Sequence, residues 1–108
     1  MPDFNDFIDQ LKNELVNRAS KLGDEVKDEF IKDGRTFAEE AEDDLKRWTK
    51  LMAEGKLTKE DLKFLVNGKK DLAKMEALKH KGIAKAQLDQ YKSSIVDSVI
   101  TSASEMFG

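Results

Sequence analysis

The sequence predicts an all-α protein, and three observations lead to this prediction. The 108 residues include a single proline, and 38% of them are charged while 39% are hydrophobic. The mean hydropathy is −0.63, and this balance is typical of a soluble helical chain, since disordered chains usually contain fewer large apolar residues. The apolar residues also recur with a period of eleven, which is close to three turns of an α-helix.

Two rows of apolar residues follow the eleven-residue period. They are Phe4, Leu15, Val26, Phe37 and Trp48, and Ile8, Ala19, Phe30, Ala41 and Met52. A third row starts with Leu11 and Leu22 but becomes polar at Asp33 and Asp44. Because eleven residues in three turns nearly match the α-helical repeat, the stripe stays on one face. We therefore predict one amphipathic helix over about 3–54, roughly 75 Å long at 1.5 Å per residue.

Two glycines interrupt this predicted helix, and each costs about 1 kcal/mol relative to alanine in a helix interior. Gly23 and Gly34 lie eleven residues apart beside the third row. One interpretation is a kink or break, favoured at Asp33-Gly34 because the third row loses its leucine there. The other is a close helix crossing that a larger side chain would obstruct. The unchanged phase at Phe37 favours a continuous helix.

Two shorter helices are predicted after Gly55, which suits the position just past a helix C-terminus. Thr58 can cap the first of them by accepting from a free backbone N–H, and Asp61 can reach back or complement the helix dipole. We predict this helix over about 59–80 and the next over about 84–106. The two helices are expected to be antiparallel.

Charge is divided unevenly along the chain. Residues 1–54 carry 15 acidic and 9 basic side chains, whereas residues 55–108 carry 10 basic and 7 acidic ones. Opposite charge favours folding of the second half back onto the first, although each exposed pair contributes less than about 1 kcal/mol. With no linker-like segment, we predict a single domain over 1–108. The net charge of −3 argues against a nucleic-acid partner.

The predicted helix over 59–80 is apolar on two sides. Its main face runs from Leu62 to Ala73, and Phe64, Met75 and Leu78 lie on the opposite side. A helix of this kind is usually covered on both sides, so we expect a second copy to complete the bundle. A homodimer is the expected assembly, with a tetramer as the alternative. The residues predicted to form the interface are Phe4, Ile8, Leu15, Phe30, Phe37, Trp48, Phe64, Met75 and Leu78.

Patterns typical of catalysis or metal binding are missing from the sequence. There is no cysteine and only one histidine, and His80 lies between two lysines with no orienting partner. The acidic run over 39–44 points around a helix instead of converging as in a calcium loop. The basic stretch over 69–85 contains no arginine or interleaved aromatic residue. We predict no enzyme activity, no catalytic residues, no metal and no cofactor.

These observations predict a non-catalytic helical assembly or protein-interaction module, whose partners are the chain itself and an unidentified protein. The alternative is reversible binding to a membrane, lipid inclusion or other apolar surface. Eleven-residue amphipathic repeats also occur in apolipoproteins, although the similarity is one of period alone. An acidic first helix suits anionic headgroups poorly. We expect a cytoplasmic location, since the start of the chain does not look like a signal peptide and cysteine is lacking.

Overall fold

The computed structural model describes residues 3–107, apart from the side chains at positions 71 and 73, and all regular structure in this range is helical. The first three helices are α1 (Phe4–Ala19), α2 (Asp24–Glu40) and α3 (Glu42–Ala53). They are followed by α4 (Lys59–Asn67), a 3₁₀ helix (Lys70–Ala73), α5 (Glu76–His80) and α6 (Lys85–Phe107). The predicted all-α class is confirmed.

The single helix predicted over 3–54 is wrong, because the chain turns between α1 and α2. Gly23 has φ +98° and ψ 156°, a backbone region that is essentially restricted to glycine. A second interruption lies at Ala41, whose φ of −98° and ψ of 12° separate α2 from α3. The described chain measures 41 × 23 × 19 Å. It is therefore much shorter than the helix of about 75 Å that a continuous repeat would form.

Gly34 lies inside α2, so the break favoured at Asp33-Gly34 is also wrong. Here α2 crosses α1, and a Cβ atom at position 34 would stand 2.7 Å from Cδ2 and 2.9 Å from Cδ1 of Leu15. The alternative interpretation, a close helix crossing, is correct for this glycine. The break lies at Gly23. A Cβ atom at this position would meet no other atom within 4 Å, but the backbone conformation of Gly23 is one that residues with side chains rarely adopt.

The helix predicted over 59–80 is divided into α4, the 3₁₀ helix and α5. Met75 takes the left-handed conformation, with φ 37° and ψ 49°, immediately before α5. The start of α4 is confirmed: the Thr58 hydroxyl accepts from the Asp61 N–H at 3.1 Å, and the Asp61 carboxylate accepts from the Thr58 N–H at 3.1 Å. These paired bonds satisfy donors that the first turn of the helix would otherwise leave unbonded.

Helix α6 differs from its predicted range by one residue at each end and packs against α1, α3 and α4. Ser98 and Ser102 are fully buried on it, and such small side chains let neighbouring helices approach closely. The largest fully buried apolar side chains are Phe7, Phe30, Leu11, Leu15, Leu45, Leu62, Leu72, Leu78, Ile95, Val66, Val96 and Val99. The repeat is thus largely buried within one chain.

Ion pairs join the acidic first half of the chain to the basic second half, as the charge division leads us to expect. Three of them link α2 and α3 to the segment over 69–81. They are Asp44–Lys69, Glu40–Lys74 at 3.0 Å and Glu29–Lys81 at 3.2 Å. The segment contains only short helices, which have few internal backbone hydrogen bonds. The ion pairs therefore add to a small number of backbone bonds.

Candidate interaction surface

The nine residues predicted to form an interface separate into two groups. Six of them are buried inside the single chain: Leu15, Phe30, Phe37, Trp48, Met75 and Leu78. The other three reach the surface. Phe4 and Ile8 are partly buried at the edge of the core, whereas Phe64 on α4 is 79% exposed.

A groove of about 210 Å³ runs between α1 and α2 and extends to the first residue of α3. We call it the α1–α2 groove. Its apolar lining consists of Phe4, Ile8, Leu11, Leu15 and Ala38. Its polar lining consists of Asn5, Lys12, Arg35, Glu39 and Glu42. Phe4 and Ile8 are partly buried and packed against the core, and both line the groove.

The polar residues of the α1–α2 groove are all exposed. Lys12 lies on α1, Arg35 and Glu39 lie on α2, and Glu42 is the first residue of α3. Over the part of the chain that the structure describes, none of these four charges forms an ion pair. The groove therefore offers an apolar floor flanked by cations and anions that are available to a bound molecule.

Asp33 has a structural role that the residue pattern alone did not identify. Although it carries a carboxyl group, it is only 7% exposed, and it accepts from the backbone N–H groups of Ala77 at 3.0 Å and Leu78 at 2.9 Å. It thereby caps the N-terminus of α5, where Met75 provides no side-chain cap. A side chain from α2 thus satisfies backbone donors of a helix 44 residues later in the sequence.

Asp44 occupies the next position of the same polar row and also bonds to other parts of the structure. The Lys69 ammonium donates to its carboxylate, and Arg47 donates to it at 2.7 Å. The hydrogen bond from Lys69 is the main cause that lowers the pKa of Asp44 below its usual value, with Arg47 adding to the effect against partial desolvation. The sequence did offer a signal for the structural roles of Asp33 and Asp44. Each is an acidic residue at a position of the third row where the repeat would place an apolar one.

His80 and the acidic run over 39–44 were the other candidates that the sequence offered. His80 ends α5 and is exposed, and two acids of the run over 39–44 pair with lysines from the basic stretch. Among the described residues, no group of three or more His, Asp or Glu side chains is arranged to hold a metal ion. None of the described helices is both long enough and apolar enough to cross a membrane.

The chain was compared with protein-family models, curated proteins and solved structures. No match was found.

Proposed function

We propose that this chain is a non-catalytic helical interaction module that binds a protein partner in the α1–α2 groove. The observation that carries the proposal is the groove itself, with an apolar floor that includes Ile8 and, on both sides, charges that form no ion pair among the described residues. Concave apolar surfaces with a few polar groups are the usual form of binding sites. Peptide helices often bind such grooves through apolar anchors spaced along one face.

The distribution of apolar residues supports a protein partner over a lipid surface. Surface-bound amphipathic helices place a continuous apolar face in the membrane interface. Here the side chains of Leu15, Phe30 and Phe37 are instead used in the core of the single chain. The groove that remains is bordered by Glu39 and Glu42 as well as by Lys12 and Arg35, so it lacks the uniformly basic border that favours anionic headgroups.

Site-specific photo-crosslinking in cells tests this function. A photoreactive phenylalanine analogue replaces Lys12, an exposed residue of the groove, and a control chain carries the analogue at Gln90, which is exposed on α6. Irradiation is expected to give discrete polypeptide adducts from position 12 and none of the same mass from position 90. The further change Ile8→Asp, which places a charge on the groove floor, should remove these adducts while helicity by circular dichroism is retained.

Two results would contradict the proposal. Adducts of equal mass and yield from both positions would show that contact with the groove is not specific. A chain without polypeptide adducts that floats with liposomes, and whose flotation is abolished by Ile8→Asp, would support the lipid-surface alternative instead.

A further inference from the structure

Phe64 has an unusual position for a large aromatic side chain. It is 79% exposed on α4, and Val16 at 39% is the other large apolar side chain among the described residues that stands out as exposed. Leu62 and Val66 form the buried face of the same helix, so Phe64 points away from the core. Exposed aromatic side chains with fixed backbones are frequent anchors at protein interfaces.

The α1–α2 groove has the size and chemistry to hold a phenyl ring. An apolar cavity of about 150 Å³ is large enough for benzene, and the groove measures about 210 Å³. Phe4, Ile8 and Leu11 lie along α1 on its floor, and Ala38 leaves space on the α2 side. A ring bound here would contact aliphatic and aromatic carbon atoms, which release water most favourably when they are buried together.

The charges around Phe64 complement those of the groove. Glu60 lies one turn before Phe64 on the same face of α4, and Lys63 directly precedes it. Neither of these exposed side chains forms an ion pair within residues 3–107. The groove presents cations that suit Glu60, among them Lys12, and carboxylates that suit Lys63. Complementary charges of this kind favour one orientation of a complex over others.

Phe64 and the α1–α2 groove lie on separate elements, since α4 packs against α6 and the groove is formed by α1, α2 and the start of α3. We propose that Phe64 of one copy of this chain binds in the α1–α2 groove of a second copy, which rests on the proposed binding role of the groove. The proposed contact is head-to-tail, with each copy binding one neighbour through Phe64 and another through its groove. A complex of two copies keeps one free groove and one free Phe64, so assembly continues to a ring or a filament.

Complementation between two variants tests this inference. Phe64→Asp removes the aromatic anchor but keeps the groove, whereas Ile8→Asp damages the groove floor but keeps the anchor. Each variant alone is expected to stay at 12.3 kDa by sedimentation, with self-affinity weakened by at least about tenfold. Their equimolar mixture should give a complex of two chains and no larger species. Wild-type chains should grow past two copies as concentration rises.

Val16→Asp is the matched control, because Val16 is partly exposed but does not line the groove. This variant is expected to assemble as the wild type does. If Ile8→Asp loses helicity, exchanging the charges of two residues across the proposed contact provides a second test. Lys12→Glu and Glu60→Lys should each weaken assembly when present alone, and the two variants mixed should bind each other again.

Three outcomes would overturn the inference. The wild type could remain at 12.3 kDa up to high micromolar concentration, or it could stop at a dimer that Phe64→Asp leaves intact. The mixture of Phe64→Asp and Ile8→Asp chains could also fail to associate while both remain helical. If adducts at position 12 persist in any of these cases and contain a different polypeptide, the interaction role stands and only the self-partner is wrong.

Discussion

Gly34 lies at the crossing of α1 and α2, where Leu15 leaves no room for a side chain. The Cδ atoms of Leu15 occupy the space that a Cβ atom at position 34 would need. Leu15 is itself only 1% exposed, so its movement would disturb neighbouring core contacts. Glycine is unfavourable in the interior of a helix, and its presence at position 34 is thus explained by the packing of α1 against α2.

Gly34→Ala is expected to destabilise the fold by about 1 kcal/mol, because overpacking costs about 1–3 kcal/mol and the gain in helix propensity returns about 1 kcal/mol. Gly68→Ala is the control, since its φ is −80° and its nearest contacts would be ordinary ones at 3.6 Å. That change should alter stability by less than about 1 kcal/mol or improve it. Urea unfolding measures both, and equal stabilisation by the two changes would contradict the close crossing.

Asp33→Ala is expected to cost about 1–3 kcal/mol, because it leaves two backbone donors of α5 without their acceptor. Asp33→Asn should cost less, since a carboxamide oxygen can still accept one of these bonds. Asp89→Ala, at an exposed position of α6, should change stability by less than about 0.5 kcal/mol. Urea unfolding at neutral pH compares the three variants. An Asp33→Ala chain as stable as the control would show that the cap is not needed.

Asp44 makes stability depend on acidity. Its pKa is lowered in the folded chain, chiefly by Lys69, so its contribution is present above the usual value of 3.8 and is lost as the pH falls through the folded pKa. Asp44→Asn should therefore reduce stability at pH 7 by up to about 1 kcal/mol, as expected for a partly exposed ion pair. The difference from the wild type should vanish in strong acid. Thermal unfolding of both chains between pH 7 and strong acid measures this difference in stability. A difference that does not change with pH would contradict the role assigned to Asp44.

At the scale of elements, the segment over 69–81 differs from the helices around it. Its 3₁₀ helix and five-residue α5 provide few internal backbone bonds, while Asp33 and three ion pairs connect it to α2 and α3. Leu72, Met75 and Leu78 add buried apolar contacts. The segment is thus attached by a mixture of charge and burial, and it should respond to salt more than α6 does.

Hydrogen exchange should detect this difference. Raising the salt concentration from about 0.1 M to about 1 M shortens the screening length from about 10 Å to about 3 Å, so amide exchange over 69–81 is expected to accelerate by a few-fold. The interior of α6 should exchange at an unchanged rate, because its buried apolar face does not depend on ion pairs. Equal acceleration in both regions would indicate global destabilisation, and no acceleration would show that the ion pairs contribute little to holding the segment.

Local sequence signals predicted the ends of some elements well. The paired bonds of Thr58 and Asp61 mark the start of α4, Gly55 follows the end of α3 with φ +75°, and α6 has nearly its predicted range. These features depend on residues within one turn of each other, so a sequence displays them directly. The division of the predicted helix over 59–80 was missed because Met75 adopts its left-handed conformation under tertiary contacts.

The eleven-residue period could not reveal where the chain turns. A repeat of apolar residues states which side of a helix is buried, but it does not state whether another molecule or the same chain covers that side. When the chain reverses at Gly23, Leu15 of α1 packs over Gly34 of α2, and both helices retain the phase. The repeat therefore predicted that Leu15, Phe30 and Phe37 are buried, and in the structure they are buried within one chain.

At the scale of the whole molecule, reversal of the chain changes where a partner can bind. A straight helix would present the full repeat to another chain, whereas the folded molecule leaves Phe4 and Ile8 at the groove and Phe64 on α4. Of the predicted interface, these three residues remain accessible in the single chain. The proposed function accordingly depends on the small apolar groove, and the proposed self-association also needs the exposed Phe64; neither depends on the eleven-residue stripe as a whole.

The central claim is that one chain buries its own eleven-residue repeat. Small-angle X-ray scattering combined with light scattering on dilute wild-type protein tests this claim most directly. The folded chain predicts a mass of 12.3 kDa and a radius of gyration close to the 13.4 Å of its Cα atoms, as expected for a compact chain of this length. A chain of 12.3 kDa with a maximum dimension near the roughly 75 Å of a continuous helix would contradict it.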